Sequence, residues 1–377
     1  MRFLTGGESH GPCLTAVVEG LPCGLAVQVQ AIDEELARRQ QGHGRSDRME
    51  IESDRVELLG GVLGGRSTGA PVVLRVENRD WENWRELWTS GDLPSVTIPR
   101  PGHADWAGML KHGLADARPI LERASARETA ARVAVGALAK LLLREFGISV
   151  GSSACSIGGV DAPAPNGTWE EIWTRSEASA VRCAHPATSS RMIEAIESAR
   201  EAGDSLGGVF YVAATGVPPG LGSHVHWDRR LDARLAGALM SVQAIKGVES
   251  GLGFEGARRV GSAVQDPIGI DESGRIIRAS NHAGGIEGGI SNGEPIVLRA
   301  AMKPIPTTIT TQDSIDAKTG TPARTDYQRS DVCAVPSAAV VGESMVAWVL
   351  ADSLREKLGG DSLDEMKAHA AAWGNDG

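Results

Sequence analysis

The feature that most constrains this chain is that it echoes itself. The run Gly60-Gly61-Val62-Leu63-Gly64-Gly65-Arg66-Ser67-Thr68-Gly69-Ala70-Pro71-Val72-Val73-Leu74-Arg75 aligns without a gap on Gly284-Gly285-Ile286-Glu287-Gly288-Gly289-Ile290-Ser291-Asn292-Gly293-Glu294-Pro295-Ile296-Val297-Leu298-Arg299. Five glycines, the proline and the closing Val-Leu-Arg coincide. Upstream, Gly20-Leu21-Pro22-Cys23-Gly24-Leu25 answers Gly216-Val217-Pro218-Pro219-Gly220-Leu221, and Leu36, Gln40 and Gly44 keep the spacing of Leu239, Gln243 and Gly247. Three echoes in one order imply two related halves, about 1–150 and 205–358, packed about a pseudo-two-fold axis. At 377 residues the chain exceeds the usual size of one hydrophobic core. It is read as one domain, residues 1–377, built from two halves and closed by a C-terminal tail, 359–377, that frays beyond Ala372.

Each half predicts strands and helices in the same style. Strands are expected at Leu14–Glu19, Val72–Val76, Val209–Ala214 and Ile296–Ala301, where β-branched and apolar residues run between glycine and proline punctuation. Helices are expected at Asp33–Gln41, Ser125–Phe146, Arg191–Ala202, Asp228–Ile245 and Pro336–Lys357, with Ser125 as a cap and Gly147 as a stop. Pro163–Thr188 reads as irregular. No strand-GxGxxG-helix or GxxxxGK[ST] element occurs, so neither a Rossmann nor a P-loop fold is indicated. The order suits an α+β layered β-α-β sandwich, in which helices cover two antiparallel sheets.

A net charge of −10 argues against a nucleic-acid surface. Arginines nevertheless gather at Arg38, Arg39, Arg45 and Arg48, and at Arg118, Arg123 and Arg127, the pattern of a protein that binds a small polyanion. Five dispersed cysteines without CxxC, and no histidine at metal-ligand spacing, point to a reduced, metal-free, cytoplasmic protein. No signal region is recognised at the start, and the apolar stretch Cys333–Leu350 is too short and polar for a membrane span.

Five stretches carry the chemistry. Gly6-Gly7-Glu8-Ser9-His10-Gly11 sets an imidazole between glycines, where an acid near neutral pH is useful and where a surface turn would serve equally. Arg100-Pro101-Gly102-His103-Ala104-Asp105 places a second imidazole on a rigid corner, with an aspartate two residues on that could orient it, although taken alone the motif reads rather as a capped turn before a helix near Trp106. Arg123-Ala124-Ser125-Ala126-Arg127 puts two cations where a helix start is expected, an unfavourable arrangement unless an anion binds. Lys303-Pro304-Ile305-Pro306-Thr307 follows a strand as a stiff loop with a cation and hydroxyls suited to a phosphate monoester, although an ordinary edge-strand exit looks the same. Arg329-Ser330-Asp331 offers either a general base or one half of a salt bridge. Gly-x-Ser-x-Gly is absent.

In this order the stretches resemble the chorismate synthase family, in its monofunctional bacterial form, from about Met1 to about Leu358. Gly7-Glu8-Ser9-His10-Gly11, Arg123-Ala124-Ser125-Ala126-Arg127-Glu128-Thr129-Ala130 and Arg329-Ser330-Asp331-Val332-Cys333-Ala334-Val335-Pro336 are similar to its three signatures. The resemblance implies a lyase of the shikimate pathway that removes phosphate and a hydrogen from 5-enolpyruvylshikimate-3-phosphate by anti-1,4-elimination. It implies reduced FMN without net redox change, supplied in trans by an NAD(P)H-dependent flavin reductase, and a homotetramer. His10 matches the histidine that protonates the departing phosphate, His103 the one that protonates the flavin, and Asp331 the group that assists proton removal. Substrate contacts are implied at Ser9, Arg39, Arg45, Arg48, Arg127 and Arg329. Flavin contacts are implied at Arg123, Ala124, Ser125, Gln243, Ala244, Gly288, Lys303, Pro304, Ile305, Pro306, Thr307 and Arg329. His43 departs from the expected tyrosine, and the stretch with Trp81, Trp84 and Trp88 reads as an elaboration that touches none of the acids. Two rivals stay open: a flavin-binding protein without turnover, and a sugar-phosphate phosphatase that works without flavin.

Overall fold

The computed structural model describes residues 1–45, 53–326 and 330–374. Two antiparallel sheets organise it. The first contains β1 (Arg2–Gly6), β2 (Cys13–Glu19), β3 (Val56–Gly60) and β4 (Val72–Glu77) in the order β1-β2-β4-β3. The second contains β5 (Ser149–Ile157), β6 (Val160–Asp161), β7 (Gly208–Thr215), β8 (Ile245–Ser250) and β9 (Ile296–Met302) in the order β8-β9-β7-β5-β6. Alternation decides which face is buried. Leu14, Ala16 and Val18 of β2 pair with Val76, Leu74 and Val72 of β4, and all six lie in the core. Without the edge hairpin β6, the second sheet runs β5-β7-β9-β8, the same first-second-fourth-third order as the first sheet.

The echoed loops repeat a hydrogen-bond pattern. Ser67 Oγ donates to Pro22 O at 2.5 Å and accepts from the Leu25 N–H at 3.0 Å. Ser291 Oγ donates to Pro218 O at 2.6 Å and accepts from the Leu221 N–H at 2.8 Å. Gly61 and Gly285 share a left-handed φ of +82° and +79°, and a Cβ on either would overlap the backbone of the following strand.

The helices are α1 (Val29–Gln40), α2 (Trp81–Ser90), α3 (Asp105–His112), α4 (Arg118–Ala124), α5 (Thr129–Arg144), α6 (Trp169–Glu177), α7 (Pro186–Glu201), α8 (Leu231–Met240), α9 (Val335–Leu358) and α10 (Leu363–Gly374). Helix α5 packs on the first sheet, α9 packs on the second, and the two pack on each other. Their approach is close: a Cβ on Gly136 of α5 would fall 2.2 Å from that of Ser344 on α9. Helix α9 is long and apolar enough to cross a membrane by length and composition, which exceeds the reading of Cys333–Leu350. Yet 94% of its apolar window is buried inside the protein.

Several expectations need correction. The helix foreseen at Ser125–Phe146 is found as a short 3-10 turn (Ala126–Glu128) running into α5, with Ser125 extended (φ −64°, ψ 144°) and its Oγ accepting from the Arg127 N–H as the expected cap, but α4 immediately before it was not foreseen. Arg123 therefore sits in the last turn of α4, where a cation is favourable, and the argument from electrostatic cost fails there. The helix foreseen at Asp228–Ile245 stops at Met240, and Ile245 opens β8, which pairs with β9. The irregular stretch Pro163–Thr188 holds α6, begun by a capping box between Thr168 and Glu171. The tail forms α10, which buries Leu363 and Met366 and hydrogen-bonds through Asp361 and Leu363 to Cys23.

Helix α9 carries a charge into this core. Glu343 is fully buried and accepts from Lys140 Nζ (2.6 Å), Arg38 Nη1 and Nη2 (2.8 and 2.9 Å), Arg182 Nη2 (3.1 Å) and Ser152 Oγ (2.5 Å). Glu35 accepts from Lys140 and Arg38, and Glu177 pairs with Arg182 and Arg38. Three cations thus meet three carboxylates. Burial opposes ionisation of Glu343, but the charges of Lys140, Arg38 and Arg182 outweigh it and hold the carboxyl well below its ordinary range. This stabilisation is complete above the ordinary carboxylate range and is lost as pH falls towards the depressed folded value. Glu343→Ala, which strands the cations, is expected to cost about 3–5 kcal/mol of unfolding free energy in denaturant titration at neutral pH. The deficit should shrink in acid. A loss below about 1 kcal/mol would show that the network contributes little.

Candidate active site

The first sheet delivers His10. A Cβ on Gly7 (φ +104°) would lie 2.3 Å from Cys13 O, so the loop after β1 can cross β2 this closely only with glycine there. The Ser9 N–H donates to Glu122 O at 3.0 Å and the His10 N–H to Glu122 Oε2 at 2.9 Å. His10 Nδ1 lies 2.8 Å from Glu122 Oε1. Glu122 is buried, which opposes its charge, but the hydrogen bonds from His10 and Arg118 hold the carboxyl below its usual range. A carboxylate only accepts, so Nδ1 carries the shared proton and Nε2 is left for chemistry. The Trp84 ring packs on the imidazole, with centroids 4.3 Å apart. The expectation that the tryptophan stretch touches none of the acids is thus corrected: α2 folds back over the loop.

His103 is held in the same manner. Its Nδ1 sits 2.5 Å from Oδ1 of fully buried Asp105, which Arg100 also grips through Nε (2.8 Å) and Nη2 (3.1 Å). Burial opposes the Asp105 charge, but His103 and Arg100 together drive its carboxyl far below the ordinary range. Arg100 Nη1 reaches Thr307 Oγ1 at 3.3 Å, and Lys303 Nζ donates to Gly102 O. The Lys303–Thr307 loop is thereby fastened to the histidine corner.

The arginines form a buried cluster. Asp54 bridges Arg39 Nη2 (2.7 Å) and Arg127 Nη1 (2.6 Å), and Arg39 Nη1 also reaches Thr129 Oγ1 at 3.3 Å. Burial raises the Asp54 carboxyl, but the two guanidiniums pull it lower still. Burial lowers Arg39 from its ordinary value, and Arg127 and Arg45 add repulsion against the attraction of Asp54. Arg127 also donates to Asn78 Oδ1 (2.7 Å) and Glu77 O (2.9 Å), contacts that tie it to the framework. Arg45 Nη1 stands 2.9 Å from Asp331 Oδ2. Arg48 and Arg329 lie outside the described residues.

A second group surrounds Glu128. Arg123 donates to Thr5 O at 3.0 Å, and its Nη2 lies 3.6 Å from Glu128 Oε1. Gln243 Nε2 donates to Glu128 Oε2 at 3.1 Å, and the Lys303 N–H donates to Ala244 O at 3.0 Å. Ala244 holds a left-handed φ of +65° and turns the chain from α8 into β8. Ser125 Oγ donates to Ser9 Oγ at 3.1 Å, linking Ala124 and Ser125 to the His10 loop. Ser205 Oγ donates to Ile305 O at 2.7 Å, and its neighbour Leu206 donates its N–H to Val332 O in the segment that follows Asp331. Pro304 and Pro306 stiffen that loop. Gly288 is in a hairpin whose next residue, Gly289, accepts from the Ser223 and Leu231 N–H groups.

Whether a flavin ring system fits can be judged from Gln243. Its Oε1 is buried and meets no donor among the described residues, so it is an acceptor that suits a ring N–H. With Arg123 and Lys303 as cations, the donor set fits an anionic flavin.

Sequence reasoning did not single out Glu122 or Asp54, and it set Trp84 away from the acids. Arg118 and Glu122 at i, i+4, with Nη1 to Oε1 at 3.3 Å, were the signal for the first. Asp54 lies beyond any local pattern, and the tryptophans of α2 repeat at i, i+3 and i+7.

Two carboxylate-anchored imidazoles beside a cluster of arginines define an acid–base enzyme for an anionic substrate. A sequence model of chorismate synthase matches residues 1–354. The chorismate synthase of Desulforudis audaxviator is 55% identical over 371 residues, which span 97% of this chain and 95% of that one. That of Aquifex aeolicus is 51% identical over 387 residues, at 97% and 96%. A crystal structure of chorismate synthase superposes with a TM-score of 0.81 at 45% identity, covering 100% of this chain and 97% of that one. The chain belongs to the chorismate synthase family and is a carbon–oxygen lyase acting on phosphate.

An unpaired buried acceptor costs stability until a ligand meets it. Gln243→Met is therefore expected to leave the melting temperature of the free protein unchanged or raised, while the rise on adding FMN shrinks. An undiminished FMN-induced rise in differential scanning fluorimetry would remove Gln243 from the flavin site.

Proposed function

We propose that the protein converts 5-enolpyruvylshikimate-3-phosphate to chorismate by anti-1,4-elimination, with His10, His103 and Asp331 as the proton-transferring groups. The observation that carries this reading is that each histidine has its Nδ1 on a carboxylate whose charge is held, by Arg118 at Glu122 and by Arg100 at Asp105. Each ring then has Nε2 for proton transfer. His10 Nε2 gives its proton to the departing phosphate, whose leaving as a more protonated group lowers the barrier. Asp331, paired with Arg45, receives the hydrogen removed from the ring as a proton. Ser9 and Arg39, with Arg45, bind the phosphate and carboxylates, and Arg127 acts through Asp54 to orient Arg39. Arg48 and Arg329 complete this set.

Reduced FMN, when bound, supplies the electron density that lets hydrogen leave a carbon with no neighbouring carbonyl. Arg123, Ala124, Ser125, Gln243, Ala244, Gly288, the loop from Lys303 to Thr307, and Arg329 hold it. His103, anchored through Nδ1 on Asp105, would present its Nε2 to the flavin for proton exchange. We also propose a cytoplasmic homotetramer supplied with reduced flavin by an external NAD(P)H-dependent reductase. The architecture is proposed as a layered β-α-β sandwich, one domain of two pseudo-two-fold halves, about 1–150 and 205–358. The shared strand order and the paired Ser67 and Ser291 contacts support it.

An anaerobic assay of phosphate release and diene absorbance, with and without photoreduced FMN, tests the reading. Diene and phosphate should appear together and only with reduced FMN. His10→Ala should lower turnover by roughly 10²–10⁴-fold with flavin binding kept. Phosphate without diene would indicate a phosphatase, and tight flavin binding without reaction a binder.

A further inference from the structure

Helix α2 has an unusual place in the fold: none of its residues is buried, although Trp81, Trp84 and Trp88 follow one another along a helical face. Such a stripe ordinarily anchors a helix in the core. Here Trp81 and Trp88 meet each other edge-on at 6.1 Å, and Trp84 meets the site. Its ring packs at 4.3 Å and 42° on the His10 imidazole, and the Arg118 guanidinium carbon lies 5.3 Å from the ring centre. Arg118 in turn reaches Glu122, which holds His10 by ring and backbone. Trp84 therefore touches the acid and also the arginine that sets the acid's carboxylate partner.

We propose that Trp84 is a positioning residue for His10: it supplies a wall against the imidazole face, while Glu122 holds the Nδ1 edge of the ring and the backbone N–H. Hydrogen bonds along the Nδ1 edge alone leave the ring able to tilt, which moves Nε2 away from any bound phosphate. A tilted aromatic contact at 4.3 Å limits that freedom at little entropic cost, because an indole has only two side-chain torsions. Helix α2 is consequently part of the active site, seated by its contact with the acid it orients. The inference rests on His10 serving as the acid for the departing phosphate.

The test compares Trp84→Ala and Trp84→Phe with the parent protein. In the anaerobic diene assay, Trp84→Ala should lower kcat roughly 10- to 100-fold, the cost of a small misplacement of a reacting group, with KM little changed. Trp84→Phe, which keeps an aromatic wall, should recover most of that loss. Isotope-labelled histidine provides a readout independent of turnover. The His10 ring resonances of the free protein, shifted by the indole ring current, should move on Trp84→Ala while those of His103 stay. Because α2 buries nothing in the core, both variants should melt near the parent temperature. Parent-like kcat in Trp84→Ala, a change confined to KM, or unmoved His10 resonances would overturn the proposal. A parent protein that makes no diene would sink the functional reading instead, and the His10 resonances alone would then decide whether Trp84 holds the ring.

Discussion

The structure depends on a carboxylate where a core helix would be expected to be wholly apolar. Glu343 lies in the middle of α9, between the helix layer and the second sheet, and is neutralised from three directions by Lys140 of α5, Arg38 of α1 and Arg182 of the segment before α7. Hydrophobic burial alone would let α5 and α9 slide or rotate against one another. A buried charge with several fixed partners has far fewer acceptable registers, because leaving any partner stranded costs several kcal/mol. Close contact at Gly136 and Ser344 fixes the same pair sterically. Arg38 and Arg39 then lie side by side on α1, one turned into this network and the other towards Asp54.

The same device recurs where chemistry is needed. Glu122 and Asp105 hold His10 and His103, and Asp54 holds Arg39 and Arg127. In each case a buried carboxylate remains ionised because cations or imidazole N–H groups face it, and the groups it binds are fixed in return. Preorganisation of this kind lets a site present protons and positive charge without rearranging during the reaction. The candidate site draws on both sheets: the His10 loop follows β1, Gln243 and Ala244 lead into β8, and Lys303 follows β9.

Family and chemistry were legible because the residues that carry them are clustered in sequence: Ser9-His10, Arg100 to Asp105, Arg123 to Arg127, and Lys303 to Thr307. The strands flanked by glycine and proline were legible for the same reason, since alternation and turn chemistry are local. The strands β1, β3, β5 and β8 were not, because short segments of mixed polarity become strands only when a neighbour supplies the ladder. The short helix α4 before Ser125 was missed because its seven residues are too few to show a helical period.

By itself the sequence determined the inventory: two imidazoles, a set of arginines, two echoed glycine-rich loops and the periodicities of the main helices. Each of these is a property of residues near one another along the chain. Tertiary structure alone decided the pairings, Glu122 with His10, Asp54 with both arginines, and Trp84 with the acid its own segment had seemed to avoid. Those contacts span tens to hundreds of residues, and no local pattern encodes them. They form because burial removes water from a charge, and the charge must then find its partner elsewhere in the fold.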